Sequence, residues 1–345
     1  MSAQTLRIVQ WDTGNIGTRA LRAVIEHPDL ELVGVYVHAE SKAGRDAGAL
    51  CGLDSTGVIA TRDVDDIIAL GADCVLYMPR QGDLDEVCRL LAAGSNIVTT
   101  CGEFHPAALL EPTARTRVEA ACELGGTSIH STGSSPGFIT EAVPLVLLSI
   151  QRRLDHLTID EFADLSRRDS PELLFGIMGF GGPRAEFEAQ REAQMRAAFG
   201  PSLHLIAEAI SRPLDSVVAS AEVATARHSV QIAAGPLAAG TVAAQRITVQ
   251  GIRDGRPLLI FRATWYCTTD LEPAWDVRAT GWHLAVEGDA PLDVDLRFPI
   301  PLERMAEMSP AYTANRAVNA ILSVCAAAPG LRSTLDLPHV ISALR

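Results

Sequence analysis

The sequence predicts two domains in series: a doubly wound parallel sheet, then an α+β domain with an antiparallel sheet. Three observations predict this. Short apolar runs alternate with amphipathic helical stretches over roughly the first 150 residues. A glycine-bearing turn, Asp12-Thr13-Gly14-Asn15-Ile16-Gly17, stands between the first run and the first helix. Beyond that region the rhythm changes to hairpins, one of which turns at Asp254-Gly255.

The elements follow in order. Leu6 to Trp11 is a short apolar strand, and Ile16 to His27 is a helix with apolar residues at Ile16, Ala20, Leu21, Val24 and Ile25, stopped by Pro28-Asp29. Leu30 to Val37, Asp73 to Pro79, Ser95 to Thr100 and Gly126 to Gly133 read as further strands. Helical segments near Val64–Leu70, Leu84–Ala93 and Thr113–Leu124 separate the later ones. Strand and helix at this rhythm imply right-handed crossovers and a Rossmann-type sheet. A helix from Ile139 to about Arg152 closes this half. Then come a strand from His156, a glycine-rich loop from Phe175 to Pro183 and a helix from Ala185 to Phe199. Two hairpins follow, one at Asp254-Gly255 and one near Gly288-Asp289, and a last helix runs from Tyr312 to Ala327. The expected domains are 1–150 for dinucleotide binding, 151–305 for substrate binding and dimerisation, and 306–345 for a helix returning to the first domain.

Composition narrows the function. A hydrophobic share of 48% with 21% charged residues is that of a globular chain, and a net charge of −13 argues against nucleic acid or an anionic membrane surface as partner. The longest apolar run, near Ala142 to Ile150, is too short to cross a bilayer. Seven cysteines without C-x-x-C or zinc-type spacing, and no secretory leader, predict reduced thiols in a cytoplasmic protein with no metal site. His204, His228 and His283 are isolated as well. Of the 29 basic residues, only Lys42 is a lysine, so any mechanism needing a lysine elsewhere is excluded.

In the glycine turn, the second and third glycines of G-x-G-x-x-G are present as Gly14 and Gly17, and the first is Asp12. Gly14 would let a pyrophosphate approach the backbone, Gly17 would let the helix pack on the strand, and the helix start would receive the phosphates. NAD binders usually carry an acid at the end of the second strand. Here His38 stands there, followed by Glu40, Ser41, Lys42 and Arg45, a donor set suited to a 2′-phosphate. NADP is the expected cofactor, with NAD as the alternative, and a plain solvated loop is the bland reading. Met78, Pro79, Thr100 and Cys101, at the ends of later strands, should border the same crevice.

The stretch Thr99 to Pro106, TTCGEFHP, leaves the sheet where a nicotinamide should lie. Cys101 could be a nucleophile, but free cysteines are more often buried packing groups. His105 precedes Pro106, which pushes its backbone toward an extended form. Glu103 follows the flexible Gly102 and should project into the cleft. A carboxylate there suits hydride addition to a C=N bond, whose positive charge it balances. No Y-x-x-x-K pair exists for simple ketone reduction.

Together WDTGNIG, GRDAGALCG (Gly44 to Gly52), VTTCGEF, GSSPGF (Gly133 to Phe138) and TANRAVNAI (Thr313 to Ile321) resemble the dihydrodipicolinate reductase-like proteins. Within them the match is to the branch of 2,4-diaminopentanoate dehydrogenase and the native amine dehydrogenases. The resemblance implies Glu103 as the catalytic carboxylate and a homodimer. It also implies NAD(P)-dependent reductive amination of a ketone or aldehyde with ammonia, with the reverse deamination. The K-x-D-x-P-S-G-T segment of true dihydrodipicolinate reductases is absent. Ser135-Pro136-Gly137-Phe138 carries phenylalanine where semialdehyde dehydrogenases place their thiol. Ser135, Pro136, Phe138, Met178 and Phe180 are expected to line the substrate pocket, with Trp265 and Trp282 as further candidates and core packing as the rival reading. Asn315 could approach the carboxamide. The alternatives are an imine or carbonyl reductase that makes no use of ammonia, a dihydrodipicolinate reductase, and a non-catalytic NADP-binding sensor.

Overall fold

Seven strands form one wholly parallel sheet: β1 (Leu6–Trp11), β2 (Leu30–Tyr36), β3 (Ala60–Thr61), β4 (Cys74–Tyr77), β5 (Asn96–Thr99), β6 (Ser128–Ser131) and β16 (Gly330–Arg332). They lie in the order β16-β6-β5-β4-β1-β2-β3, so the strand order reverses between β1 and β4. That reversal opens the ligand crevice of a doubly wound sheet. The structure, a computed structural model, describes residues 5–105, 111–183 and 188–342.

The helices of this unit begin where their caps dictate. α1 (Asn15–Ile25) starts at the glycine turn, and the short α2 (Ala47–Cys51) is capped by Asp46. α3 (Val64–Ala69) and α4 (Leu84–Ala92) are capped by Asp63 and Asp83, whose carboxylates accept first-turn N–H groups. α5 (Pro112–Gly125) has proline at its first position and ends at left-handed Gly126.

Two compact units divide the chain, one of residues 1–138 with 310–345 and the other of residues 139–309. The helix expected from Ile139 groups with the second unit, because Ile139 and Leu148 pack in that unit's core. The first unit is completed by α9 (Pro310–Cys325), whose Ala314, Ala317, Val318, Ile321 and Val324 pack with Ile8, Ala20, Val24, Leu76 and Val98.

The second unit holds a seven-stranded sheet of β7 (Leu154–Asp164), β8 (Ser216–Ala226), β11 (Val242–Arg253), β12 (Arg256–Tyr266), β13 (Leu271–Glu272), β14 (Gly281–Gly288) and β15 (Leu292–Arg297), beside a small hairpin of β9 (Val230–Ile232) and β10 (Gly235–Leu237). The larger sheet is mixed rather than antiparallel, since β7 lies between β12 and β14 and pairs with β12 in parallel. The first hairpin turns at Asp254 and Gly255, both at positive φ as a primed turn requires. β8 escapes the sequence reading because its core-facing positions include Ala219 and Ala221, weak strand formers.

The helix expected from Ile139 starts there, as the end of a π-helical segment (Ser134–Ala142) that runs into α6 (Val143–Leu148), and it stops before the expected Arg152. α8 (Leu302–Met308) precedes α9, and α7 (Glu188–Ala209) runs through Pro201, beyond the expected end at Phe199. The expected start of α7 at Ala185 lies outside the described residues. Glu172–Ile177 is helical, so Phe175 to Ile177 are not loop. No helix among the described residues is long and apolar enough to cross a membrane.

Candidate active site

The glycine turn is built on tight backbone geometry. A Cβ on Gly17 would lie 2.3 Å from the Asp12 carbonyl oxygen, so only glycine lets α1 approach the turn this closely. A Cβ on Gly14 would meet nothing within 4 Å and would project into open space. No side chain caps α1 at Gly14, which leaves its first-turn amides able to serve an anion. The Thr13 hydroxyl is buried without a hydrogen-bond partner. A buried orphan hydroxyl beside uncapped amides and open space fits a pyrophosphate. Asn15 engages Arg19 through its side-chain oxygen (2.6 Å), and Ile16 packs toward the α9 core. Those two residues thus shape the turn chiefly through their backbone.

Past β2, Lys42 reaches back and donates its ammonium to the Thr13 carbonyl at 2.7 Å. The sole lysine is thereby fixed against the glycine turn, with two N–H donors to spare. Ser41 and Arg45 are exposed beside it. His38 is half-exposed, edge-on to Tyr36 at 5.1 Å between ring centroids, and its Nδ1 is 3.6 Å from the Asp12 carboxylate. Asp46, within the motif Gly44 to Gly52, holds this loop together. Partial desolvation would raise its carboxyl, yet hydrogen bonds from Thr56, Ser55, Gly57 and Gly48 bring it down to about 2. The sequence reading missed this hub, although an aspartate just before Ala-Gly-Ala is an N-cap signal.

The trio at the end of β5 sorts by burial. Cys101 and His105 are each only 4% exposed, and Glu103 is exposed. Cys101 donates its thiol to the Pro79 carbonyl, donates its N–H to the Thr99 hydroxyl at 3.0 Å, and receives the Ser131 hydroxyl on its carbonyl at 3.0 Å. Phe104 packs into the sheet core against Gly82, where a Cβ would meet its ring at 2.7 Å. Anchors on both sides thus present Glu103 at the carboxyl edge of the sheet, with Oε1 3.4 Å from the Gly82 N–H. Burial, reinforced by the charge of Glu103, pushes the Cys101 thiol up to about 11, although its bond with Thr99 opposes this. A thiol that stays protonated and buried is a poor nucleophile. Cys101→Ala is therefore expected to keep turnover within about threefold of the parent, and thiol-directed reagents at neutral pH should leave Cys101 unlabelled in a mass-spectrometric map.

Met78 is a core residue under α9, not a cofactor-facing one, and Pro79 is also buried. Thr100 is half-buried just past β5. The Ser134 hydroxyl bonds the Thr313 hydroxyl at 2.7 Å, which ties the GSSPGF loop to α9 and joins two motifs that are distant in sequence. In that loop Thr132, beside Gly133, and Ser135 have buried hydroxyls without a partner. Pro136 is half-buried and Phe138 is exposed. Asn315 is exposed on α9. In the second unit, Phe180 is 1% exposed inside a cluster with Leu174 and Leu237, which makes it a core residue and not a pocket wall. Met178 is half-buried beside that cluster, and its carbonyl is taken by the Gln245 amide. Trp265 and Trp282 both donate their indole N–H to Glu161 at 3.0 Å, an arrangement that no sequence spacing signals. Among the described residues no group of three or more His, Cys, Asp or Glu is placed to hold a metal ion.

Residues 147–345 match the model of the 2,4-diaminopentanoate dehydrogenase C-terminal domain, and residues 8–107 match that of the dihydrodipicolinate reductase N-terminus. An amine dehydrogenase of Streptomyces virginiae is 30% identical over 345 residues, covering 96% of this chain and 95% of that protein. Among solved structures, an amine dehydrogenase from Mycobacterium smegmatis superposes with a TM-score of 0.78 at 19% identity, over 98% of this chain and 97% of the other. GenD2 from gentamicin A biosynthesis, in complex with NAD, shares the fold more loosely, with a TM-score of 0.52 at 15% identity over 93% and 88% of the two chains. A glycine turn at the switch point, a family domain over the second half and a relative matched along nearly its whole length converge, and the chain belongs to the NAD(P)-dependent amine dehydrogenase family of oxidoreductases.

Proposed function

We propose that this amine dehydrogenase catalyses reductive amination of a ketone or aldehyde with ammonia, and the reverse oxidative deamination, with Glu103 as its catalytic carboxylate and NADP as its preferred cofactor. One observation carries the reading. Of the three reactive side chains in TTCGEFHP, only Glu103 is exposed, and its turn is anchored by Cys101 and Phe104. It leaves β5, which lies beside β4 on one flank of the switch point.

The Glu103 carboxylate takes a proton from ammonium, freeing the amine to attack the carbonyl carbon. It returns that proton to the hydroxyl of the carbinolamine, which leaves as water. The carboxylate, ionised again, then faces the iminium and balances its charge. A bound nicotinamide supplies the hydride. The sum is one carbonyl compound, one ammonium and one hydride from the reduced cofactor giving one amine, one water and the oxidised cofactor.

Lys42 supports the preference for NADP. Its ammonium sits at the Thr13 carbonyl with two donors to spare, next to exposed Ser41 and Arg45. Lys42→Ala is expected to raise the KM for NADPH by ~10-fold or more, as for loss of a charged hydrogen bond, with a smaller change for NADH. Equal effects on both cofactors would remove the phosphate assignment. We assign the working form to a cytoplasmic homodimer. The decisive assay is a panel of aldehydes and ketones with NADPH or NADH, run with and without concentrated ammonia. Cofactor oxidation independent of ammonia would make the protein a carbonyl reductase instead.

A further inference from the structure

The structure assigns to Asp12 a part in cofactor selection: we propose that its carboxylate accepts the adenosine-ribose hydroxyls of NAD(H), opposing Lys42, so that the balance between the two sets the preference. This rests on the reading of Asp12 to Gly17 as a dinucleotide site.

Asp12 stands where the glycine pattern has its first glycine, and it holds the left-handed φ of 68° that makes glycine the ordinary choice. Any residue with a Cβ is strained there, although aspartate tolerates it better than most. The backbone has no freedom to relax. The Asp12 N–H bonds the Tyr36 carbonyl at 2.8 Å, and the Asp12 carbonyl receives the Gln10 amide at 2.8 Å while lying against Gly17. A strained residue kept in a locked backbone points to a use for its side chain.

That side chain is placed for one. Its Oδ1 accepts the Thr13 N–H at 2.8 Å, and its Oδ2 lies 3.6 Å from His38 Nδ1, with a quarter of the side chain exposed. His38 occupies the position past β2 where NAD binders usually carry the acid that holds the ribose hydroxyls. Parallel pairing of Trp11 with Tyr36 brings the end of β1 beside the end of β2. The carboxylate missing from the second strand is thus supplied from the first.

Charge then discriminates. An ionised carboxylate only accepts hydrogen bonds, so it suits the 2′- and 3′-hydroxyls, and it repels a 2′-phosphate carrying a charge of about −2. Lys42 engages Thr13 as well, bonding its carbonyl while Asp12 holds its N–H. Both determinants thus meet at one residue.

Asp12→Gly isolates the carboxylate, because glycine adopts the same φ without strain and restores the ordinary motif. Its thermal midpoint should equal or exceed that of the parent. Direct calorimetric titration of the full-length protein with NADH and NADPH reads the effect without turnover. The dissociation constant for NADH is expected to rise ~10-fold, and that for NADPH to stay or fall. Asp12→Asn, which keeps an acceptor but loses the charge, should fall between. Equal changes for both nucleotides, or no change in either, would overturn the proposal. A parent that binds neither nucleotide would overturn the dinucleotide site along with it.

Discussion

Glu103→Ala is expected to lower amination turnover by ~10²–10⁴-fold while leaving the dissociation constant for NADPH within about twofold of the parent. The side chain is exposed, and among the described residues its hydrogen-bond partner is the Gly82 N–H at 3.4 Å, so folding should not suffer. Stopped or steady-state assays with ammonia and a carbonyl compound read the first effect, and nucleotide titration reads the second. Glu103→Gln preserves shape without the charge. It should be as impaired as alanine if the proton and the negative charge matter, and near the parent if the residue only fills space. Undiminished turnover in both variants would sink the mechanism.

The second large effect separates the two glycines of the turn. Gly17→Val places a branched side chain 2.3 Å from the Asp12 carbonyl oxygen, a backbone atom that cannot step aside. α1 must move off β1, at a cost of about 1–3 kcal/mol from overpacking, and the phosphate site moves with it. Both the thermal midpoint and cofactor affinity should fall. Gly14→Ala behaves differently, because the added methyl meets no protein atom within 4 Å and the residue has a φ of −68° that alanine accepts. Its midpoint should hold while affinity for the dinucleotide drops ~10-fold or more, since the methyl stands where the pyrophosphate would approach. A stability loss at Gly14, or none at Gly17, would contradict this division of labour.

The parallel sheet was legible because its strands are continuous apolar runs buried on both faces, and because aspartates at positions 63 and 83 announce helix starts. The second sheet was less so. β8 alternates through alanines, and nothing local says that β7 will pair in parallel with β12, about one hundred residues away. The same contrast holds at the site. Glu103, the glycines and Lys42 could be singled out from spacing and position along the strands. The anchors that present Glu103 could not, since Ser131 and Pro79 reach Cys101 only through the fold. Met78 and Phe180 misled for a related reason. An apolar residue next to a candidate site looks alike in sequence whether it lines a cleft or fills a core, and here both are buried.

Because β16 completes a sheet whose other strands come from the first 131 residues, and α9 packs against it, the chain enters its first unit twice. On a ribosome, Ile8, Ala20, Val24 and Val98 would emerge long before Ala317 and Ile321 arrive to cover them. The contiguous stretch 139–309 has every strand of its own sheet already in hand. Maturation of the nascent chain should therefore run from the middle outward, with the nucleotide-binding half finished last.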